Sequence, residues 1–259
     1  MRIENFWNSE SHRACSFGRI VTKIMERSDI ITDIHTHSLP EEPGTARVCI
    51  GCGPLPEQDG HFFSVGLHPW NVTGSDELQF RALEQLLALP QVLAVGECGF
   101  DTLKGSSHEL KEQAFVRQVE LSERFKKPMI LHVVRDFDTV IRLRKQLKPD
   151  QRWLIHGFRG NPEQMLQLLN NGLLISLGQK SNPETLKQIP SDLLFLETDG
   201  HCPIQEVIEK AALERLETPE SIKNLILKNH QRFLLQEQNY RFGEHQCSGV
   251  KRSAPRGSR

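Results

Sequence analysis

Apolar residues along the chain gather into eight short runs, at residues 30–35, 46–51, 62–67, 92–97, 128–132, 152–156, 173–177 and 193–198. Runs of this length, rich in Val, Ile, Leu and Phe and bounded by Gly, Pro and polar residues, predict buried β-strands. From the fourth run onward each is followed by a helical pattern. Residues 109–127 place Leu110, Ala114, Leu121 and Phe125 at spacings of four, seven and four. Phe137, Val140, Ile141 and Leu147 repeat such a stripe behind Asp136, which is expected to cap it. Asn161-Pro162 and Asn182-Pro183 each set a capping side chain before a proline suited to the first helical turn. Gly172 and Pro190 end those two helices.

Strands alternating with helices predict a parallel sheet. Eight runs with a final helical stretch at 219–237 predict an α/β chain, a compact (β/α)8 TIM barrel with shortened early βα units. The units are short because 38–45 and 52–61 are too brief for crossover helices and are rich in Pro, Gly and Glu. An open doubly wound sheet is the alternative. The barrel is favoured by the placement of His37, His68, Glu97, His132, His156 and Asp199, each at or just past the C-terminal end of a run. That is the face on which barrel enzymes carry their sites.

Composition sharpens the outline. The 259 residues are 37% hydrophobic and 25% charged, enough for one large core. Residues 1–29 have no steady periodicity and read as a poorly ordered appendage, with Glu4, Glu10 and Glu26 arguing against a mitochondrial presequence. Residues 239–259 mix basic residues with Ser, Gly and Pro and read as a basic disordered tail, leaving 30–238 as the barrel. With 32 basic and 33 acidic side chains the net charge is −1, so attraction for phosphate must be local. No stretch approaches the ~20 apolar residues of a membrane span. The first thirty residues also lack the apolar core of a secretory signal, so the expected location is cytoplasmic. Six cysteines without disulfide spacing read as reduced thiols. Cys49-Ile50-Gly51-Cys52, a lone C-x-x-C, is expected at a strand end.

Candidate chemistry begins at His35-Thr36-His37, because positions two apart in a strand share a face and aim at one point. Glu97, His132, His156 and Asp199 add donors from four later runs. A single such residue is ordinarily turn or rim chemistry; the weight rests on their joint placement. Four imidazoles with two carboxylates suit Zn2+, Mn2+ or Fe2+ better than oxygen-seeking Mg2+. Six donors exceed one tetrahedral ion, whereas two ions ~3.5–4 Å apart, bridged by a carboxylate, would use them all. Asp33, on the same face as His35, either orients a ligand or fills a polar layer. Arg135 and Arg159 each follow a candidate histidine by three residues and are expected on rim loops, gripping phosphate or pairing with a surface acid.

The ordered segments Asp33-Ile34-His35-Thr36-His37, Val65-Gly66-Leu67-His68-Pro69, Val95-Gly96-Glu97-Cys98-Gly99-Phe100-Asp101, Pro128-Met129-Ile130-Leu131-His132, Ile155-His156-Gly157-Phe158-Arg159-Gly160 and Leu196-Glu197-Thr198-Asp199 resemble the TatD-like metal-dependent hydrolases. These belong to the amidohydrolase-like barrels. The likeness spans about residues 30–235 and includes Asn229-His230-Gln231-Arg232-Phe233, similar to the family's final helix. It implies phosphodiester hydrolysis by a metal-activated water, typically a deoxyribonuclease trimming DNA ends, with two divalent cations (Zn, Mn or Mg). Carried over by position, His35 and His37 would hold one ion with Asp199, His132 and His156 the other, and Glu97 would bridge them. Asp199 would accept the proton, while His68, Arg135 and Arg159 would meet substrate; a structural rim role for His68 stays open.

One departure bears on substrate. After the aspartate the family commonly has a small residue, then proline and an aromatic, but here the chain reads Gly200-His201-Cys202-Pro203. His201 is either an additional contact or a solvent-exposed side chain. Expected substrates are DNA ends or small phosphate esters, with no membrane and no obligate protein partner. The alternative keeps the metal site and changes the bond, as an amidohydrolase of a small amide, lactone or deaminase substrate. A non-catalytic metal-binding protein is the third reading, disfavoured because all six donor positions are filled.

Overall fold

The structure, a computed structural model, describes residues 31–56 and 60–235. The expectations for 1–29 and 239–259, and Cys15 and Cys247 with them, lie outside the described residues. Seven strands form one parallel sheet: β1 (Asp33–Thr36), β2 (Ala46–Cys49), β3 (Phe62–Val65), β4 (Val92–Asp101), β5 (Met129–Val134), β6 (Trp153–Ile155) and β7 (Leu173–Ile175). They lie side by side in chain order, and the sheet curls into a TIM-barrel-like half-cylinder. Helices α1 (Glu77–Leu87), α2 (His108–Phe125), α3 (Phe137–Leu147), α4 (Pro162–Asn170), α5 (Pro183–Gln188), α6 (Ile204–Arg215) and α7 (Pro219–Leu235) complete the described elements.

The eighth apolar run does not form a full strand. Its first residue, Leu193, ends a short 3-10 turn, Ser191–Leu193, and one parallel bridge joins Leu177 to Leu196. The segment nonetheless bonds on both sides. Leu177 N–H donates to Phe195 O (2.9 Å) and Glu197 N–H to Leu177 O (3.2 Å), while Ile34 N–H reaches Leu196 O and Asp199 N–H reaches His35 O, both at 3.1 Å. A side chain replaces one rung of the ladder: the Asp33 carboxylate accepts from Thr198 N–H (3.1 Å) and Thr198 Oγ1–H (2.6 Å).

Two strands outrun their apolar pattern. β4 continues to Asp101 and β5 to Val134, pairing Gly99 with His132 and Asp101 with Val134. Glu97 and His132 therefore lie inside strands and not at their ends. Gly99 permits the pairing at φ +138°, since a Cβ there would strike the His132 carbonyl. Helix α1 was not marked by the periodicity, and neither was α6.

Both Asn-Pro starts cap as expected: Asn161 Oδ1 accepts from Gln164 N–H (2.9 Å) and Asn182 Oδ1 from Glu184 N–H (2.9 Å). Asp136 occupies the N-cap position of α3 but its side chain does not cap. Its Oδ2 takes His108 Nε2–H instead, at 2.9 Å, linking α3 to the start of α2. Around the sheet a single main core buries Phe63, Phe100, Phe115, Trp153, Phe195 and Phe233. Asn229 on α7 donates to Ser191 O and Leu194 O, and His230 to Ile31 O, so the last helix is pinned to the segments around β1.

Candidate metal centre

Glu97 is the hub of the C-terminal face of the sheet. Its Oε1 lies 2.6 Å from His35 Nε2, 3.3 Å from His37 Nε2 and 3.1 Å from His156 Nε2. Its Oε2 lies 3.0 Å from His68 Nε2 and 3.9 Å from His132 Nδ1. Asp199 Oδ1 closes the group at 3.6 Å from His35 Nε2 and 3.4 Å from His37 Nε2. Two sets of donor atoms are each compact enough for one cation: His35, His37, Glu97 and Asp199, and His68, Glu97 and His132. All six donors expected from sequence thus converge, with His68 added and His156 touching both Glu97 and His132 (Nε2 to Nδ1, 3.2 Å).

Local structure explains the convergence. His35 and His37 emerge from the same face of β1 and its continuation. Asp199 stands at φ +52°, a left-handed conformation that a non-glycine residue adopts at a cost. It is held there by its N–H bond to His35 O and by the Asp33 bridge to Thr198. Asp33 therefore touches no donor atom; it accepts from His35 N–H (3.2 Å) and ties β1 to the aspartate segment.

The imidazoles are oriented from behind. His132 Nε2 faces Asp101 Oδ2 at 3.5 Å, which places its proton there and turns Nδ1 toward Glu97. His156 Nδ1 looks toward Glu197 Oε1 at 3.8 Å, and Glu197 is itself fixed by Gly157 N–H and Ser176 Oγ–H (2.6 Å). For His68 the logic reverses. The Trp70 N–H donates to its Nδ1 (3.2 Å), so a neutral ring carries its proton on Nε2, the atom facing Glu97. A protonated Nε2 donates; it does not ligate.

Charges follow this geometry. Burial pushes the Glu97 carboxyl up, but the close imidazoles of His35, His37 and His68 outweigh it and hold it far below the usual carboxylate range. Burial likewise opposes the low pKa of Asp199, which His35 and His37 enforce. His35 is raised despite complete burial, by Asp199 and Glu97, and His37 is raised to about 10 by the same two carboxylates. Burial lowers His132 to about 4, helped by His156 and His68, so it stays neutral. In buried Asp33, desolvation overrides the Thr198 bonds and raises the carboxyl to about 7.

Two cavities open beside the cluster. One, of about 600 Å3, is lined by His132, Arg135, Phe137, His156, Arg159 and Asp199 among others. The other, of about 330 Å3, is lined by Arg159, Lys180, Glu197, Asp199, His201 and Cys202 among others. Arg135 and Arg159 are exposed and share the first cavity with the donors. His201 is half-exposed with Nε2 at 3.3 Å from Asp199 Oδ2. Sequence reasoning gave no part to Asp101, Glu197, Trp70 or Cys49, whose Sγ accepts the Glu97 N–H (3.4 Å). Asp101 and Glu197 sit inside quoted motifs, two residues past a glycine and two before Asp199, so their acidity in an apolar run was the available signal. Cys49 does end a strand, and Cys49, Cys52, Cys98 and Cys202 are free thiols.

A TIM-barrel-like α/β sheet whose carboxy-terminal face gathers imidazoles around a shared carboxylate defines the class of metal-dependent hydrolases. Within it, the chain belongs to the family of TatD-related DNases, whose model matches residues 55–234. The His35/His37 pair lies upstream of that match. The 3'-5' ssDNA/RNA exonuclease TatD of Dickeya dadantii is 30% identical over 170 residues, covering 60% of this chain and 61% of that protein. The uncharacterized metal-dependent hydrolase YabD of Bacillus subtilis is 28% identical over 159 residues, covering 58% and 61%. The chain thus spans about three-fifths of the length of these curated relatives. Among solved structures, the TatD homolog YjjV from Escherichia coli K12 superposes with a TM-score of 0.66 at 20% identity, over 81% of this chain and 99% of that one. A TatD family hydrolase from Entamoeba histolytica gives 0.63 at 16% identity, over 84% and 90%. These structural likenesses concern the fold.

Proposed function

We propose that the protein is a metal-dependent phosphodiesterase that trims nucleic-acid ends, using two divalent cations. The donor chemistry fits such cations: Nε2 of His35 and Oε1 of Glu97 are buried and face each other across 2.6 Å, without the alignment of a satisfied hydrogen bond. Buried polar atoms left in this state are costly unless something else engages them. His35, His37 and Asp199 would hold one cation, His132 and His156 the other, with Glu97 between. When bound, the pair supplies an activated water and neutralises charge on the phosphoryl oxygens.

The remaining steps belong to the chain. Asp199 accepts the proton of the attacking water and aims it, its second oxygen steadied by His201. His68, with its proton on Nε2, donates toward the departing oxygen. Arg135 and Arg159 grip the phosphate from the cavity wall. Those two guanidinium groups beside the donors carry the choice of bond, since a neutral amide would be served by an apolar pocket instead. The same reading takes the segment between β7 and β1 as the eighth stave of a closed barrel. It places the enzyme in the cytoplasm, a reducing compartment that suits its free thiols.

The test is a substrate panel of single-stranded and nicked DNA, bis(p-nitrophenyl) phosphate and simple amides, assayed with Mg2+, Mn2+, Co2+ or Zn2+. Release of nucleotides is expected. A panel in which only amides are hydrolysed would give the site to the amidohydrolase alternative.

A further inference from the structure

The Trp70 side chain has no part in the steps above, which use only its backbone N–H, yet the fold invests in it. The residue is 45% exposed, a large aromatic side chain at the rim of the site. It is also fixed. Nε1–H donates to Asp101 Oδ2 at 2.6 Å, and buried Asp101 is tied in turn by the N–H groups of Leu103 (2.7 Å) and Lys104 (3.2 Å). The ring centroid lies 4.7 Å from that of His68 and 5.6 Å from that of His132. Gly105, at φ +86°, lets the loop after β4 press on this turn; a Cβ there would come within 2.5 Å of Pro69 O and 3.1 Å of Trp70 Cα. The Lys104 ammonium rests over the indole at 4.1 Å from its centroid, and forms no ion pair among the described residues. Of the other tryptophans, Trp153 is wholly buried and Trp7 lies outside the described residues.

We propose that Trp70 and Lys104 form a nucleotide subsite beside the metal centre, where a base stacks on the indole and its adjoining phosphate is taken by Lys104. The inference rests on the phosphodiesterase reading and gives it a substrate class: base-bearing nucleic-acid ends, as opposed to phosphate esters at large. A rigid, exposed ring loses little conformational freedom on binding. Every base has a π face, so stacking is tolerant of sequence. In the free protein the ammonium lies over the electron-rich ring. A phosphate offers it a full negative charge, and its flexible stem permits the transfer.

The test compares two single-stranded oligonucleotides, one with ordinary nucleotides and one with abasic residues at both ends. Wild type should favour the base-bearing ends in KM by about 10-fold, the scale of one stacked base. Trp70→Ala should abolish that preference, Trp70→Phe should keep most of it, and Lys104→Ala should raise KM for both substrates. The proposal falls if wild type shows no preference, or if Trp70→Ala slows both substrates equally. It also falls if Trp70→Phe behaves as Trp70→Ala does, because the indole would then act only through its bond to Asp101. A phosphorothioate dinucleotide should quench tryptophan emission of the wild type and not of Trp70→Phe. Quenching without hydrolysis of any oligonucleotide would overturn the nuclease reading alone; hydrolysis without quenching or base preference would overturn the subsite alone.

Discussion

A carboxylate buried among imidazoles persists only with positive charge beside it, and Glu97 faces five of them. Its neighbours divide by which nitrogen is free. His132 keeps its proton on the side of Asp101, so Asp101→Asn should weaken divalent-cation binding roughly 10- to 100-fold, read by titration with Mn2+ or Zn2+. Asp199→Asn keeps an oxygen donor and loses the proton acceptor, so kcat should fall by about 100-fold or more while metal content holds; unchanged turnover would refute the role. At this scale the sequence was informative about identity and poor about orientation. An H-x-H in a strand and acids behind apolar runs announce donors by their types. Whether His68 ligates or donates depends on a backbone N–H of Trp70 that approaches its Nδ1, and no spacing encodes that.

Among elements, the apolar runs mark strand cores but not their ends. β4 carries on through Gly99 and Asp101 because β5 pairs with it there, a tertiary choice that overrides the polar composition. Helix α1 buries Phe80, Leu83 and Leu87 but lies outside the apolar stripes that marked the later helices. The 193–198 run was legible as a strand by composition. It forms only one bridge because Asp33, far away in sequence, takes a ladder donor. Gly99→Ala should destabilise the protein by about 1–3 kcal/mol in chemical unfolding, as its Cβ must displace the His132 carbonyl. The docking of α7 gives a pH test. Burial lowers the pKa of His230 to about 3, below the 6.5 expected when unfolded. The unfolded chain then binds more protons between these values, so stability is full above pH 6.5 and falls as pH drops toward 3. His230→Gln should flatten that part of the profile of urea midpoint against pH.

For the whole molecule, family membership and the sequential parallel sheet were readable from the order of motifs, since each motif closes one strand-and-loop unit. No described helix is long and apolar enough to cross a membrane. With a net charge of −1 over 259 residues, the proposed nucleic-acid substrate would be held by few side chains and not by a broad basic field. If Arg135, Arg159, Lys104 and Lys180 supply two to four phosphate contacts, log K against log salt should have a slope of about −1.4 to −2.8 for single strands. A slope steeper than about −5 would require a basic surface outside this site. The central claim, that donors from separate strands hold a pair of cations around Glu97, is tested most directly by counting metal per chain. Elemental analysis of wild-type protein equilibrated with Mn2+ or Zn2+ should give two ions per chain, and Glu97→Gln should lose both. Stoichiometry unchanged by that substitution, or protein that binds no divalent cation, would contradict it.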